Sequence, residues 1–138
     1  MPITHEPTQG HGVSIAFSSG FLAWVTNLSI SGLSREALPT TNSSTTVAHT
    51  HRPAVLYDGG TLTVDLQFNS STSMVTPITG AIETVTITWP LATGATTAAT
   101  MSGSAFLTGF DITAPIGGIM TASAKLKFTG QISRTAAS

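Results

Sequence analysis

The sequence predicts a small all-β body, a sandwich or a barrel, and three observations carry that expectation. From Met120 to Ile132, the residues Met120, Ala122, Ala124, Leu126, Phe128 and Ile132 alternate with Thr121, Ser123, Lys125, Lys127, Thr129 and Gln131, and only Gly130 leaves the apolar face without a side chain. Successive strand side chains point to opposite faces, so this run has one buried and one polar face; a helix would scatter the same residues around its axis. Six or seven such runs follow one another at short spacings, divided by turn signals. Polarity comes from 25 Thr and 16 Ser rather than from charge, which is only 8% of residues. The branched Cβ of Thr suits a pleated surface while its hydroxyl keeps the outer face wet.

Residues 1–12, with two Pro and two His, read as a flexible amino-terminal arm ahead of a single domain at 13–138. Gly12 to Ser18 alternates Val13, Ile15 and Phe17 with small or polar residues, a first strand, and Ser19-Gly20 supplies a turn. Phe21 to Leu33 puts Leu22, Trp24, Leu28 and Ile30 on one face, which predicts a central strand bulged near Gly32. Ser34 to Val55 has no sustained period and is bracketed by Pro39 and Pro53, so a long loop is expected over 34–56; such a loop is usually functional or disordered. Asp58-Gly59-Gly60 is a tight-turn signal. It leads into the strand Thr61 to Phe68, where Leu62, Val64, Leu66 and Phe68 share a face.

Asn69 to Gly80 opens on a capping composition and has room for one or two turns of helix, limited by Pro77. Ile82 to Pro90 predicts a strand with Val85, Ile87 and Trp89 on one face, and Leu91 to Thr100 a loop or hairpin tip. Met101 to Ile112 is a strand with bends or bulges at Gly103 and Gly109, and Ala114-Pro-Ile-Gly-Gly connects it to the final strand. At about 3.3 Å per residue, that last run would span roughly 43 Å, enough to serve two packed sheets or a barrel wall.

A chain of 138 residues that is 41% hydrophobic can bury a real core. So few charges leave a monomer poorly defended against association, which points to a surface covered by partner subunits, with a monomer kept soluble by its hydroxyls as the alternative. Five Lys or Arg against six Asp or Glu give no basic patch for nucleic-acid phosphates, and the absence of Cys excludes disulfides and thiol metal sites. No secretory signal or bilayer-length apolar run is present, so a soluble product made in a cytoplasm is expected, without membrane association.

Catalytic chemistry has no support in the residues, and the protein is not expected to be an enzyme. His49 and His51 would share a strand face but lack a third ligand, so a solvated polar loop is the expectation, and His5 and His11 sit in the arm. The carboxylates Glu6, Glu36, Asp58, Asp65, Glu83 and Asp111 form no recognisable pair. Neither a nucleophile elbow nor a phosphate-binding glycine loop occurs, and no metal or cofactor is expected. A binding module using Trp24, Trp89 and Tyr57 as a platform for carbohydrate or protein is an alternative, although both Trp residues alternate in phase with apolar neighbours and are expected in the core.

The order of pieces resembles bacteriophage tail tube proteins. The resemblance is carried by Val25-Thr-Asn-Leu-Ser-Ile-Ser-Gly-Leu-Ser-Arg-Glu, the Thr-rich stretch, Arg52-Pro, Tyr57-Asp-Gly-Gly-Thr-Leu-Thr-Val-Asp-Leu-Gln-Phe, and Pro115-Ile-Gly-Gly-Ile-Met-Thr-Ala-Ser-Ala-Lys-Leu-Lys-Phe-Thr-Gly, covering roughly residues 13–133. It implies two antiparallel sheets packed roughly orthogonally with a short flanking helix, although Asn69 to Gly80 looks short and Ser/Thr-rich for that helix. It also implies hexameric rings stacked into a virion tail tube, assembled in the host bacterial cytoplasm, through which DNA passes without specific binding. Implied partners are further copies of the chain and other tail proteins such as terminator, tape measure and tail tip or sheath. On this resemblance Arg35, Glu36, Leu38, Pro39, Thr40, Thr41, Thr45, Thr46, His49, His51 and Arg52 are candidates for the contact between rings. The polar positions Thr61, Thr63, Asp65, Gln67, Thr121, Ser123, Lys125 and Lys127 are candidates for the lumen wall. A tail completion or capsid decoration protein with a related fold is a further alternative.

Overall fold

Among the described residues the alternating runs become six antiparallel strands: β1 Ser14–Phe17, β2 Trp24–Pro39, β3 His51–Gln67, β4 Glu83–Thr88, β5 Thr100–Thr113 and β6 Thr121–Thr135. The computed structural model describes residues 10–18, 24–68 and 80–138. Its strands form one sheet in the order β1-β4-β5-β6-β3-β2. Among the described residues no helix is long and apolar enough to cross a membrane.

The final run of the sequence is the middle of this sheet. Along β6, Ala122, Ala124, Leu126 and Phe128 are buried, and β6 pairs with β3 on one side and β5 on the other. Leu126 lies between Leu62 and Leu107, and Ala124 between Val64 and Phe110. With Ile15, Phe17, Leu66, Val85, Ile87 and Ala105 they form one apolar cluster, against which Val25, Leu28, Ile30, Trp89 and Ile132 pack. Residues from both outermost strands, β1 and β2, therefore meet the same core, and the sheet wraps around it without closing.

Two separate sheets were the expectation, and a single wrapped sheet is what forms among the described residues. The reason lies in the irregularities of its long strands. An extra residue in β5, Thr108, falls between Leu107 and Gly109, and β6 gains Gly130 and Gln131 between Thr129 and Ile132. Bulges bend and twist a strand without ending its pairing, so the corner is turned inside a continuous ladder. A one-residue insertion also reverses which face the following side chains occupy. Before Thr108 the buried positions are Met101, Ala105 and Leu107; after it Phe110 packs on the core. The expected bends at Gly103 and Gly109 are both at register shifts.

The same parity change explains the placement of Trp24. β2 has an extra residue, Thr26, between Val25 and Asn27, which turns Val25 toward the core with Leu28 and Ile30. Trp24 is left on the outer face at 76% exposure, not in the core with Leu28 and Ile30. Among the described residues β2 is also an edge strand rather than a central one. Leu22 lies outside the described residues, as do residues 1–9 of the expected arm and 69–79, the stretch expected to hold the flanking helix.

Ser34 to Leu56 is not a loop for most of its length. β2 continues to Pro39 and β3 begins at His51, with Pro39 opposite His51 and Leu38 opposite Arg52. Only residues 40–50 lie outside the strands. Its sequence lacks alternation because neither face of this ribbon meets the core, so no pattern of burial constrains it. Asp58-Gly59-Gly60 likewise is no chain reversal but a bend within β3. Gly32 and Gly60 sit across from one another with φ of 78° and 80°, and a Cβ on Gly60 would stand 2.3 Å from the Ser31 carbonyl oxygen. Left-handed backbone on both partners at one rung requires glycine.

Candidate functional site

No cluster of three or more His, Cys, Asp or Glu that could hold a metal is found among the described residues. What the fold builds instead is a broad polar face and a projecting arm.

The polar face is the side of the sheet opposite the core. All eight residues named above as lumen candidates meet there, as four cross-strand pairs: Thr61 with Lys127, Thr63 with Lys125, Asp65 with Ser123, and Gln67 with Thr121. The rows continue onto the neighbours, where Asn27, Ser29 and Ser31 of β2 flank Asp65, Thr63 and Thr61. On the other side, Thr84, Thr86 and Thr88 of β4 face Ser104, Ser102 and Thr100 of β5. Hydroxyls dominate because alternation reserves the odd or even set for the core and leaves Thr and Ser to the other. The charges are sparse and of both signs: Lys125 and Lys127 against Asp65 and Asp111. Sequence reasoning did not place two aromatics here. Trp24 ends the Gln67–Thr121 row, and Phe106 lies opposite Lys127.

The arm is the β2–β3 ribbon beyond the paired glycines, where β3 has left β6 and β2 is its only described partner. All eleven residues named as ring-contact candidates lie on it. Arg35, Glu36, Leu38 and Pro39 are on the outgoing strand, with Glu36 at a second irregularity where the returning strand carries the extra residues, Ala54, Val55 and Leu56 standing against it alone. His51 and Arg52 begin the returning strand, and Thr40, Thr41, Thr45, Thr46 and His49 are in the tip. The tip holds itself together. Thr40 N–H donates to the Thr50 carbonyl at 2.8 Å, Thr50 N–H to Thr41 Oγ1 at 2.8 Å, and Ser44 N–H to Asn42 Oδ1 at 2.8 Å. Short Asx and Thr bonds of this kind order a polar turn without a core. Along the ribbon Arg35 donates to the carbonyls of Ala54 and Val55, and its guanidinium lies 5.2 Å from the centre of the Tyr57 ring.

Tyr57 and Asp58 tie the arm to the body. The Tyr57 hydroxyl accepts a hydrogen bond from Ile132 N–H at 2.8 Å, and Asp58 Oδ1 accepts from Gly60 N–H at 2.8 Å and from the Lys127 ammonium. The Lys127 bond first, and the Gly60 bond second, hold the Asp58 carboxyl below its ordinary value of 3.8. A depressed carboxylate contributes stability that is fully present above its unfolded value and lost as pH falls through the folded one. The pair is exposed, so the contribution is small. Asp58→Asn is accordingly expected to lower the thermal midpoint slightly at pH 7, with the gap to the parent closing as the pH is taken below 3.8 in a calorimetric series. A gap of constant size across that series contradicts the assignment.

The three aromatics of the alternative binding platform do not come together. Tyr57 pairs with Arg35, eleven residues along β2 from Trp24, which is roughly 36 Å of strand, and Trp89 is half-buried against the core.

No protein-family model matches the sequence, and no curated protein matches it. Solved structures do. The sheath/tube terminator of an extracellular contractile injection system superposes with a TM-score of 0.71 at 11% identity, covering 96% of this chain and 99% of that one. The tail of an empty gene transfer agent particle, refined with C6 symmetry, gives 0.65 at 13% identity over 94% and 100%. The SPP1 tail tube gives 0.60 at 11% identity over 94% and 80%. At these identities the likeness is one of fold.

Proposed function

We propose that this chain, which has the fold of tail-tube and tube-terminator proteins, is a structural subunit of a virion tail that forms rings stacked into a tube. The likeness over at least 94% of the chain to tube components carries the reading. The C6 symmetry of one of them favours hexameric rings. In this arrangement the edges that β1 and β2 form among the described residues are covered by neighbours within the ring, since unpaired strand edges otherwise template aggregation.

The hydroxyl face lines the lumen, with Thr61, Thr63, Asp65, Gln67, Thr121, Ser123, Lys125 and Lys127 at its centre. A duplex that must move needs a wall that hydrates it without gripping. A Lys or Arg array would neutralise phosphates and release counterions, holding the DNA in place. Lys127 is engaged with Asp58, and Lys125 stands among Thr, Ser and Asp, so the wall offers no such array. The arm reaches the next ring, and terminator, tape-measure and tail-tip or sheath proteins are the further partners.

Negative-stain electron microscopy of the concentrated protein tests the reading. Rings with sixfold class averages and tubes of stacked rings are expected; monomers alone at high concentration overturn it. The likeness to a terminator favours a second reading, a completion protein that closes a tube, and this would give single rings that never stack.

A further inference from the structure

We infer that the seat for the arm is the opposite pole of the next copy, formed by Ile112, Ile116 and Ile119 beside Asp111, so that stacking is head-to-tail through an apolar contact locked by an Arg52–Asp111 ion pair. The inference rests on the stacked-ring reading and names the surface that the arm would meet.

Strand register places the two ends. β3 starts at the arm with His51 and ends at Gln67, which pairs with Thr121, the first residue of β6. The β5–β6 connection that precedes Thr121 therefore lies at the far pole from the arm tip, about 50 Å of strand away. Phe68 N–H donates to the Met120 carbonyl at 2.9 Å and holds the connection against that end.

Each pole carries apolar side chains that its own molecule leaves in water. On the arm Val47 is 97% exposed and Val55 and Leu56 nearly as much; at the far pole Ile116 is fully exposed, Ile119 mostly and Ile112 about half. Single exposures such as Leu33, Ile82 and Leu91 need no explanation, but a group of large aliphatic residues at each pole does. They cannot cover one another within one copy, because the length of the sheet separates them. Two copies in line can. A contact between unlike poles is heterologous and does not close on itself along the stacking axis, which is what a tube of repeating rings requires.

Charge agrees with this pairing. Near the tip the arm presents Arg52, exposed as the second residue of the returning strand, whereas the far pole presents Asp111, exposed next to Ile112. Head-to-tail stacking sets Arg52 against Asp111 with opposite signs, whereas pole against pole would set Asp111 against Asp111 and is disfavoured; the arm also carries exposed Glu36, so arm against arm is left for the cross-linking test to exclude.

The chain has no cysteine, so a pair introduced by mutation reports a single contact. Val47→Cys and Ile116→Cys in one chain, assembled and then oxidised, are expected to give a ladder of covalent multimers on non-reducing gels that collapses with reductant. Each single variant is expected to stay monomeric on the same gel. Covalent dimers from Val47→Cys alone would mean that arms meet arms, and would overturn the inference. So would tubes visible by microscopy in which the double variant does not cross-link; the ring-and-tube reading would survive that result. No rings or tubes from the parent protein would remove both. As a second measurement, Arg52→Asp and Asp111→Arg are each expected to lower the fraction sedimenting as tube several-fold, and the two together to restore most of it. No recovery in the double variant, with rings intact in all three, would count against the ion pair and overturn the lock.

Discussion

Replacing residues 40–50 with a two-residue Asn-Gly turn is expected to abolish tubes while leaving a folded β protein that still forms rings. The closure is geometrically available because Pro39 and His51 already face each other across the ribbon, and Asn-Gly suits a two-residue hairpin turn. Nothing in the core is touched. The removed hydrogen bonds run largely within the tip itself, as between Thr40 and Thr50 or Asn42 and Thr45. Far-UV circular dichroism and the thermal midpoint should therefore stay close to those of the parent. Microscopy should find rings without tubes. Tubes of normal length from the shortened chain would show that the arm does not join rings.

Leu126→Ala has the opposite profile: it attacks the fold and reaches assembly only through it. Leu126 is 1% exposed and lies across from Leu62 on one side and Leu107 on the other, so its side chain is at the centre of the sheet's buried face. Removing a buried leucine side chain costs the lost transfer free energy and leaves a cavity, together about 3 kcal/mol. For a chain of this length that is roughly 10 °C in thermal midpoint. Chemical denaturation of the unassembled protein would measure it, with the midpoint falling and the slope unchanged. A loss below about 1 kcal/mol would mean that β6 is not the middle of the core. Because assembly adds its own stabilisation by mass action, the measurement belongs at concentrations where rings are absent.

The contrast between these two variants follows how the chain was legible. β6 and the second half of β3 were readable residue by residue, since one face is buried on each and burial enforces a period of two. Leu62, Val64, Leu66, Ala122, Ala124, Leu126 and Phe128 all lie where alternation puts them. The arm was readable as something unusual but not as strand. Arg35, Ala37, Leu38 and Pro39 pair with Tyr57, Pro53, Arg52 and His51 away from the core, where burial imposes no alternation on the side chains. Trp24 shows a third case. Its alternation with Leu28 and Ile30 is real in the sequence, but the extra residue at Thr26 breaks the phase, and a bulge on an edge strand leaves no mark in composition.

The candidate surfaces divide in the same way. The lumen candidates on β3 and β6 could be proposed as one face because each is the polar half of an alternating strand, and they meet as cross-strand pairs once the register is known. That register, and the poles it defines, was not in the sequence. Val47 and Ile116 are 69 residues apart along the chain, and only the order β5-β6-β3-β2 assigns them to opposite ends.

The sequence by itself determined the core-facing strands, the two-faced character of the sheet and the hydroxyl-rich exterior, because these depend on local period and composition. The tertiary structure alone decided that the strands join in one wrapped sheet, that Ser34 to Leu56 extends as a ribbon, and that Trp24 faces outward. Each of these turns on bulges and long-range pairing, where a single inserted residue reverses a face and the partner strand lies dozens of residues away.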